Sequence, residues 1–224
     1  MLLLAADTSG KGGSIALADC DDQGDCHVKE VVPLLGGTFS AQLVPQIAAL
    51  LSKHGVARSD IGGFAVASGP GSFTGLRVGL AAIKALAEVL RKPIAAVSLL
   101  EAIADESSRK GQILSAIDAG RGEIFAGRYE ILPSRPIPWL LSEELMRIDL
   151  VCAMAPAELV VTPDDQLAEV LRAKGARVEL VPQPRSDVIA RLGGRKIRAG
   201  ITVPPEELTA NYIRRPDAEI SVKS

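Results

Sequence analysis

The chain has 224 residues, of which 47% are hydrophobic and 23% are charged, so it can form one large domain or two small ones with a sizeable core. These proportions exclude intrinsic disorder over most of the sequence. The formal net charge is −2 and only 3% of the residues are aromatic. A generally basic surface with base-stacking platforms is therefore excluded, and any role with RNA is expected to be indirect.

The N-terminal run Leu2–Ala6 is predicted to be a buried strand rather than a targeting signal. It reaches Asp7 before a secretory apolar region could form, and no basic segment precedes it. The longest apolar stretch, 76–90, is interrupted by three charged residues, so it is too polar to span a membrane. These residues are Arg77, Lys84 and Glu88. We therefore predict a cytoplasmic protein with no membrane partner.

The cysteines and histidines predict neither a disulfide framework nor a metal centre. Cys20, Cys26 and Cys152 are an odd number of thiols in a chain too large to need covalent crosslinks, which is typical of a reducing compartment. His27 and His54 are far apart and form no metal-binding pair. A Ser-His-Asp triad is equally unsupported, so we predict no catalytic residues and no metal ligands.

The first half of the chain is predicted to alternate strands with helices. Apolar runs of four to seven residues indicate strands, and apolar residues at three- and four-residue steps indicate helices. Gly55 is placed to end the first helix. The predicted strands are 2–6, 14–18, 28–34, 61–67 and 94–97, and the predicted helices are 40–54, 76–91 and 99–107.

The second half is predicted to repeat the first. The run 113–124 places a strand, Asp118, small residues and a glycine before another strand, as 2–15 does around Asp7. Two tandem α/β lobes, 1–108 and 109–224, are the interpretation that this pattern favours, and two unrelated hairpins are the alternative. Further elements are predicted in the second half from the same apolar patterns. They are a strand at 159–161, a helix at 164–174, a strand at 176–181, a short helix at 206–213 and an exposed tail at 214–224, with the C-terminal segment predicted to pack back on the first lobe.

A glycine-rich run, 68–77, lies between a predicted strand and a predicted helix. Backbone amides at such a turn favour an anion, so the run is a candidate nucleotide or anion site. It lacks the Gly-Lys-Ser/Thr of a Walker loop, and a tight turn that lets the helix pack closely on the sheet explains the same glycines. The candidate residues are Asp7, Ser9, Gly69, Gly71 and Ser72. Asp7 could either hold a magnesium-bound phosphate or cap its own turn through its side chain.

The helices at 40–54 and 76–91 are apolar over a wide arc. Their charged and polar residues occupy one narrow stripe each, which leaves more apolar surface than one face of a sheet needs. We interpret the surplus as a surface for a partner helix, with burial between the two halves of the chain as the alternative. The residues predicted for this interface are Leu43, Ile47, Leu50, Val78, Gly79, Ala82, Ile83 and Leu86.

Three runs together resemble one family. They are Ser68-Gly-Pro-Gly-Ser-Phe-Thr-Gly-Leu-Arg-Val-Gly-Leu80, Ala5-Ala-Asp-Thr-Ser9 and Ile117-Asp-Ala-Gly-Arg-Gly-Glu-Ile124, and Asn211-Tyr-Ile-Arg214 adds to them. They are similar to the TsaB family, the smaller bacterial subunit of the tRNA threonylcarbamoyladenosine machinery, which was once described as glycoprotease-like. Where the family often has His-Ser-Glu before its first helix, this chain has Phe39-Ser40-Ala41.

The resemblance implies an actin-like ATPase fold built from two RNase H-like lobes. It also implies a non-catalytic subunit, whose larger catalytic paralogue transfers the threonylcarbamoyl group to adenosine 37 of tRNAs that read ANN codons. The implied partners are that paralogue, the ATPase subunit of the same complex and, when the chain is alone, a second copy. No cofactor is implied, although weak nucleotide binding is left open. The alternative function is a stand-alone nucleotide-dependent phosphotransferase or ATPase of the same fold.

Overall fold

The chain divides into two compact units in a computed structural model that describes residues 1–35, 38–154 and 158–214. The first unit combines Met1–Ser98 with Arg185–Asn211, and the second combines Leu99–Pro184 with 212–214. Beyond Arg214, the tail predicted to be exposed lies outside the described residues. None of the helices in the described ranges is long and apolar enough to cross a membrane.

A five-stranded sheet forms the centre of the first unit, in the order β3-β2-β1-β4-β5. Strands β1 to β3 are an antiparallel meander, while β4 and β5 run parallel to β1. The strands are β1 Leu2–Asp7, β2 Gly13–Cys20, β3 Cys26–Leu34, β4 Ile61–Gly69 and β5 Ile94–Ser98.

Three helices cover the two faces of this sheet. Helices α1 (Phe39–Lys53) and α2 (Phe73–Leu90) pack over large side chains such as Leu4 and Val66. The opposite face is lined by four fully buried alanines in register on four neighbouring strands, Ala5, Ala16, Ala65 and Ala95. These small side chains let a C-terminal helix approach closely, which its Gly193 also permits, since a Cβ there would overlap the Cβ of Ala65.

The second unit repeats this topology. Its sheet has the order β10-β9-β6-β7-β8, so that β6 takes the place of β1, and its first three strands are again an antiparallel meander. The strands are β6 Gly111–Gly120, β7 Glu123–Ile131, β8 Trp139–Arg147, β9 Leu159–Thr162 and β10 Arg177–Leu180. Two sheets of this order confirm the predicted pair of RNase H-like lobes, the actin-like ATPase fold.

The remaining helices explain why the units differ in extent from 1–108 and 109–224. Helix α3 (Leu99–Asp105) belongs to the second unit, because Leu100 and Ile103 pack with Ile113 and Tyr129. Helices α4 (Ile148–Met154) and α5 (Asp165–Ala173) also lie in the second unit. Helix α6 (Ser186–Arg198) is the one on the alanine face of the first unit.

Two expectations from the sequence are wrong. The helix predicted at 206–213 is only a single 3₁₀ turn, Pro205–Glu207, because its one buried apolar side chain is Leu208. Cys20 and Cys26 form a disulfide, although no disulfide framework was expected. The two residues face each other as the last pair of the β2–β3 hairpin, a proximity that the cysteine count does not reveal.

Candidate functional site

The turn after β1 holds a buried acid, Asp7. The amide and the hydroxyl of Ser9 both donate to Asp7 Oδ1, at 2.9 and 2.5 Å, which closes the turn around the carboxylate. Asp7 is only 6% exposed. Burial raises the pKa of Asp7 above its ordinary value, and the hydrogen bonds from Ser9 oppose part of that change. Asp7 is therefore a protonatable group that its surroundings make less acidic.

The matching turn of the second unit shows the same local geometry in another environment. The amide of Gly120 donates to Asp118 Oδ1 at 2.9 Å, again two residues after the acid, as a side-chain-closed turn requires. Asp118 is exposed, whereas Asp7 is buried. The two turns thus share the hydrogen bond that closes them, but only Asp7 is buried by the surrounding protein.

The glycines of the predicted anion loop allow α2 to pack tightly against the β1–β2 turn. Thr8 lies in a notch on the helix, where a Cβ at Gly75 would overlap the Thr8 carbonyl oxygen and one at Gly79 would overlap its hydroxyl. The Thr8 hydroxyl donates to the Gly75 carbonyl at 2.7 Å. A Cβ at Gly71 would overlap the carbonyl oxygen of Ser9. The close-packing interpretation therefore accounts for these three glycines.

Polar groups at the start of α2 are engaged with the chain itself. The Ser72 amide donates to the Ser9 carbonyl at 2.6 Å, and the Gly75 amide donates to the Ser72 hydroxyl at 3.3 Å. Gly69 has a φ of +116°, and a Cβ there would lie 3.1 Å from the carbonyl oxygen of Asn211. All five predicted residues thus lie at one end of the first sheet or at the adjoining start of α2. Nucleotide binding at this loop stays a prediction.

The described parts of the chain contain no group of three or more His, Cys, Asp or Glu side chains able to hold a metal ion. His54 Nε2 lies 2.8 Å from Glu30 Oε2, and Lys53 donates to the other oxygen of that carboxylate at 2.7 Å. These hydrogen bonds lower the pKa of Glu30, and the bond from Lys53 has the larger effect. His27 is exposed on β3. His54 is partly buried beside Glu30, so the two histidines have different surroundings and neither joins a metal-binding group among the described residues.

Replacing the buried acid tests the raised pKa. In the folded protein Asp7 keeps its proton to a higher pH than in the unfolded chain, so its contribution to stability is complete below about pH 4 and is lost as the pH rises through the folded pKa. Asp7→Asn stays uncharged, and its free energy of unfolding should exceed that of the wild type at pH 7 by more than at pH 4. Urea denaturation at both pH values measures this. Asp118→Asn, at the exposed matching turn, is the control and should show no such change; a pH-independent difference for Asp7→Asn would contradict the argument.

The predicted interface residues separate into two groups. Five are buried in the core of their own unit: Leu43, Ile47, Leu50, Gly79 and Ile83. Val78, Ala82 and Leu86 remain partly exposed. The periodicity of a helix identifies its apolar positions but does not say which of them face the sheet, and the interface itself stays a prediction.

An apolar groove of about 480 Å³ lies between α1 and α2. Val44 is 56% exposed and Phe73 is 36% exposed, and sequence reasoning missed both. The Arg77 guanidinium stacks over the Phe73 ring at 3.7 Å. The groove is lined by Ser40, Leu43, Val44, Phe73, Thr74, Arg77, Val78, Ala81 and Ala82. Part of the surplus apolar surface of the two helices thus lies here, around Val78 and Ala82.

Comparisons with known proteins agree in pointing to one group of proteins. The family model for TsaD, tRNA N6-adenosine threonylcarbamoyltransferase, matches residues 31–137. The Bacillus subtilis protein named tRNA threonylcarbamoyladenosine biosynthesis protein TsaB is 37% identical over 131 residues, which are 58% of this chain and 56% of the relative. The protein of that name in Escherichia coli is 32% identical over 133 residues, 58% and 55% of the two chains. The matches thus span little more than half the length of these curated relatives.

A solved structure extends the likeness to nearly the whole chain. YeaZ from Pseudomonas aeruginosa superposes with a TM-score of 0.74 and 25% identity, covering 94% of this chain and 99% of that one. Fold and comparisons together define a two-lobed protein of the actin-like ATPase fold. Within that class, the chain is similar to the TsaB proteins and to YeaZ.

Proposed function

We propose that this chain is a non-catalytic subunit in tRNA threonylcarbamoyladenosine biosynthesis. In this role it docks through the α1–α2 groove onto a larger catalytic paralogue, which transfers the threonylcarbamoyl group to adenosine 37 of tRNAs reading ANN codons. The names of the relatives supply the pathway. The observation that carries the docking role is the apolar groove, with Val44 and Phe73 exposed at its edges.

The groove fits a helix of a partner. Its side chains come from two neighbouring helices, and small residues at its centre, Ala81 and Ala82, let another helix approach closely. Exposed apolar surface that is gathered in one place commonly marks an interaction site. In the absence of the paralogue, a second copy of this chain presents the same surface and would pair through it, which gives a homodimer.

Two features of the first unit support a non-catalytic role over the alternative phosphotransferase. A nucleotide-dependent enzyme of this fold needs an acid and free amides beside the phosphates. Here Ser9 is bonded to Asp7, and the amides of Ser72 and Gly75 are bonded to neighbouring oxygens. Thr8 and the helix glycines fill the space between turn and helix with protein. Accordingly, ATP or peptide hydrolysis by the isolated chain is expected to be negligible.

The net charge of −2 supports only weak binding of tRNA by the chain alone. Affinity for tRNA depends mainly on phosphate neutralisation, and this chain has no overall positive field. The catalytic paralogue and the ATPase subunit would therefore carry most of the tRNA binding in the complex.

Reconstitution tests the proposal. The full chain is combined with the paralogue and the ATPase subunit from the same source, and threonylcarbamoyladenosine is measured on an unmodified tRNA transcript with and without the chain. We expect formation to depend on the chain and the purified chain alone to be inactive. Formation that is equally fast without it, or ATP turnover by the chain alone that disappears in Asp7→Ala, would contradict the proposal.

A further inference from the structure

A second cleft, of about 530 Å³, lies between the C-terminal half of α2 and the 3₁₀ turn Pro205–Glu207, away from the apolar groove. It is mainly charged. Its lining comprises Lys84, Ala87, Glu88, Arg91, Lys92, Pro205 and Glu206, all of them in the first unit. Three cationic side chains and two carboxylates thus surround a floor formed by buried Ala87 and partly buried Pro205.

None of these five charged side chains has an ion pair or a side-chain hydrogen bond to another part of the chain that the structure describes. This contrasts with Lys53, which is bonded to Glu30, and with Lys174, which is bonded to Asp149. The cations of the cleft are therefore available to a ligand.

The backbone at Arg91 is a second, independent observation. Arg91 ends α2 with φ 52° and ψ 51°, the left-handed conformation that glycine usually supplies at this position. The Lys92 amide donates to the Ala87 carbonyl at 3.1 Å, which completes the helix end. A large charged side chain in this conformation is uncommon and costs stability, and such positions concentrate at functional sites. The conformation places the Arg91 side chain in the lining of the cleft.

We infer that this cleft binds a nucleotide unit of the tRNA. The phosphate would lie against Lys84, Arg91 and Lys92, and the ribose hydroxyls would donate to the carboxylates of Glu88 and Glu206. A ligand that carries both an anion and hydroxyl donors fits a cleft with both kinds of charge. Inorganic phosphate brings no ribose hydroxyls to donate to the two carboxylates. The volume is within the range of small-ligand sites. The identity of the RNA as tRNA rests on the proposed function.

This inference is compatible with weak tRNA binding by the chain alone. Three cations neutralise at most a few phosphates, so the cleft adds to an affinity that the other subunits dominate. Its effect is expected in the assembled complex at ordinary salt, and in the isolated chain only at low ionic strength, where electrostatic attraction is least screened.

The first measurement uses the isolated full chain. Amide chemical shifts are recorded at low salt during titration with a short single-stranded RNA, with AMP or with inorganic phosphate. RNA is expected to shift the amides of 84–92 and 205–207 more strongly than AMP, and phosphate is expected to do so least. Absence of RNA-induced shifts at both segments overturns the inference. Equal shifts with AMP and RNA, together with an unchanged tRNA affinity in the second measurement, assign the cleft to a free nucleotide and overturn the RNA assignment.

The second measurement uses the complex. Lys84→Gln, Arg91→Gln and Lys92→Gln are combined, and tRNA affinity is measured over a range of salt concentrations. Losing the contacts to this phosphate should weaken binding roughly tenfold and reduce the magnitude of the slope of log affinity against log salt by about 1. The charge-matched control combines Arg58→Gln, Lys110→Gln and Arg177→Gln, which are exposed elsewhere, and should change neither quantity.

The outcomes separate this inference from the proposed function. Weaker tRNA binding with normal subunit assembly supports the cleft, and unchanged affinity and slope overturn it. If the triple variant loses assembly and the RNA titration leaves the cleft unshifted, the cleft binds a protein segment and the inference is wrong. If the wild-type subunits do not assemble at all, the proposed function fails, and the RNA titration of the isolated chain still decides the cleft.

Arg91→Gly is expected to raise thermal stability and to weaken tRNA binding. Glycine relieves the left-handed strain, so the midpoint of thermal unfolding should rise, while the loss of one cation should weaken tRNA binding. A variant that is more stable and binds tRNA as the wild type does would show that Arg91 contributes nothing to a ligand site.

Discussion

Gly75→Ala is expected to lower the free energy of unfolding by about 3 kcal/mol, the upper end of the usual cost of overpacking. The added methyl group would overlap the carbonyl oxygen of Thr8. That oxygen belongs to the backbone of the β1–β2 turn, and the Thr8 hydroxyl is itself bonded to the Gly75 carbonyl, so neither side can move alone. Alanine's better helix propensity would by itself stabilise the helix by about 1 kcal/mol. A net decrease in the free energy of unfolding must therefore come from the overlap.

Urea denaturation followed by circular dichroism measures this loss. Gly12→Ala is the matched control, because a Cβ at Gly12 would have no neighbour within 4 Å, and its effect should be small. A Gly75→Ala variant as stable as the wild type would mean that α2 can move away from the turn. The proposed role of these glycines in close packing would then be wrong.

Val44→Glu is expected to abolish association, both with a second copy and with the catalytic paralogue. Val44 is 56% exposed, so the free chain tolerates the charge. Docking would bury the Glu carboxylate without an opposite charge beside it, at a cost of about 3 to 5 kcal/mol. Ala82→Glu, at the centre of the groove, should have the same effect. Because Ala82 also touches the core of its own unit, circular dichroism must show that this second variant is folded.

The control for both variants is Val89→Glu, a change of the same kind on the same helix. Val89 is 80% exposed and lies outside the groove lining, so this variant should associate as the wild type does. Analytical ultracentrifugation measures self-association, and co-purification measures binding to the paralogue. Association that persists in folded Val44→Glu and Ala82→Glu variants would show that the interface lies elsewhere.

The elements of the first half could be predicted because periodicity, turn residues and length agreed there. The predicted helix at 40–54 is observed as Phe39–Lys53, and Gly55 follows it with a φ of +63°. Two lobes were predictable from the repeat around Asp7 and Asp118, since each acid closes its own turn through a local hydrogen bond. Local interactions of this kind are visible in a single sequence.

The missed elements depend on tertiary contacts. Helix α6 contains Gly193 and Gly194, which weaken a helical pattern but are needed where the helix approaches Ala65 and the Cys20–Cys26 hairpin. Strand β8 was missed because its first three residues, Trp139 to Leu141, are all exposed and show no alternation of apolar and polar side chains.

The docking surface shows the same limit. The apolar positions of α1 and α2 were identified, yet their orientation is set by the sheet beneath them. Leu43 and Ile83 point into the core, whereas Val44 and Phe73, which a stripe pattern assigns no special role, are exposed beside the groove. The candidate anion-site residues lie near one another because β1 and β4 are parallel neighbours, so that the turn after β1 and the turn after β4 meet at the same end of the sheet. Their function stays a prediction.

The position of α6 affects the order in which the first lobe can be completed during synthesis. Its sheet ends at Ser98, but the helix that covers the alanine face begins at Ser186. At about 5–20 residues per second, the ribosome needs several seconds to make the intervening chain, and the face has no helix over it during that time. Alanine presents far less apolar area than leucine or isoleucine. A face built from Ala5, Ala16, Ala65 and Ala95 therefore favours non-native hydrophobic contacts only weakly before α6 is synthesised.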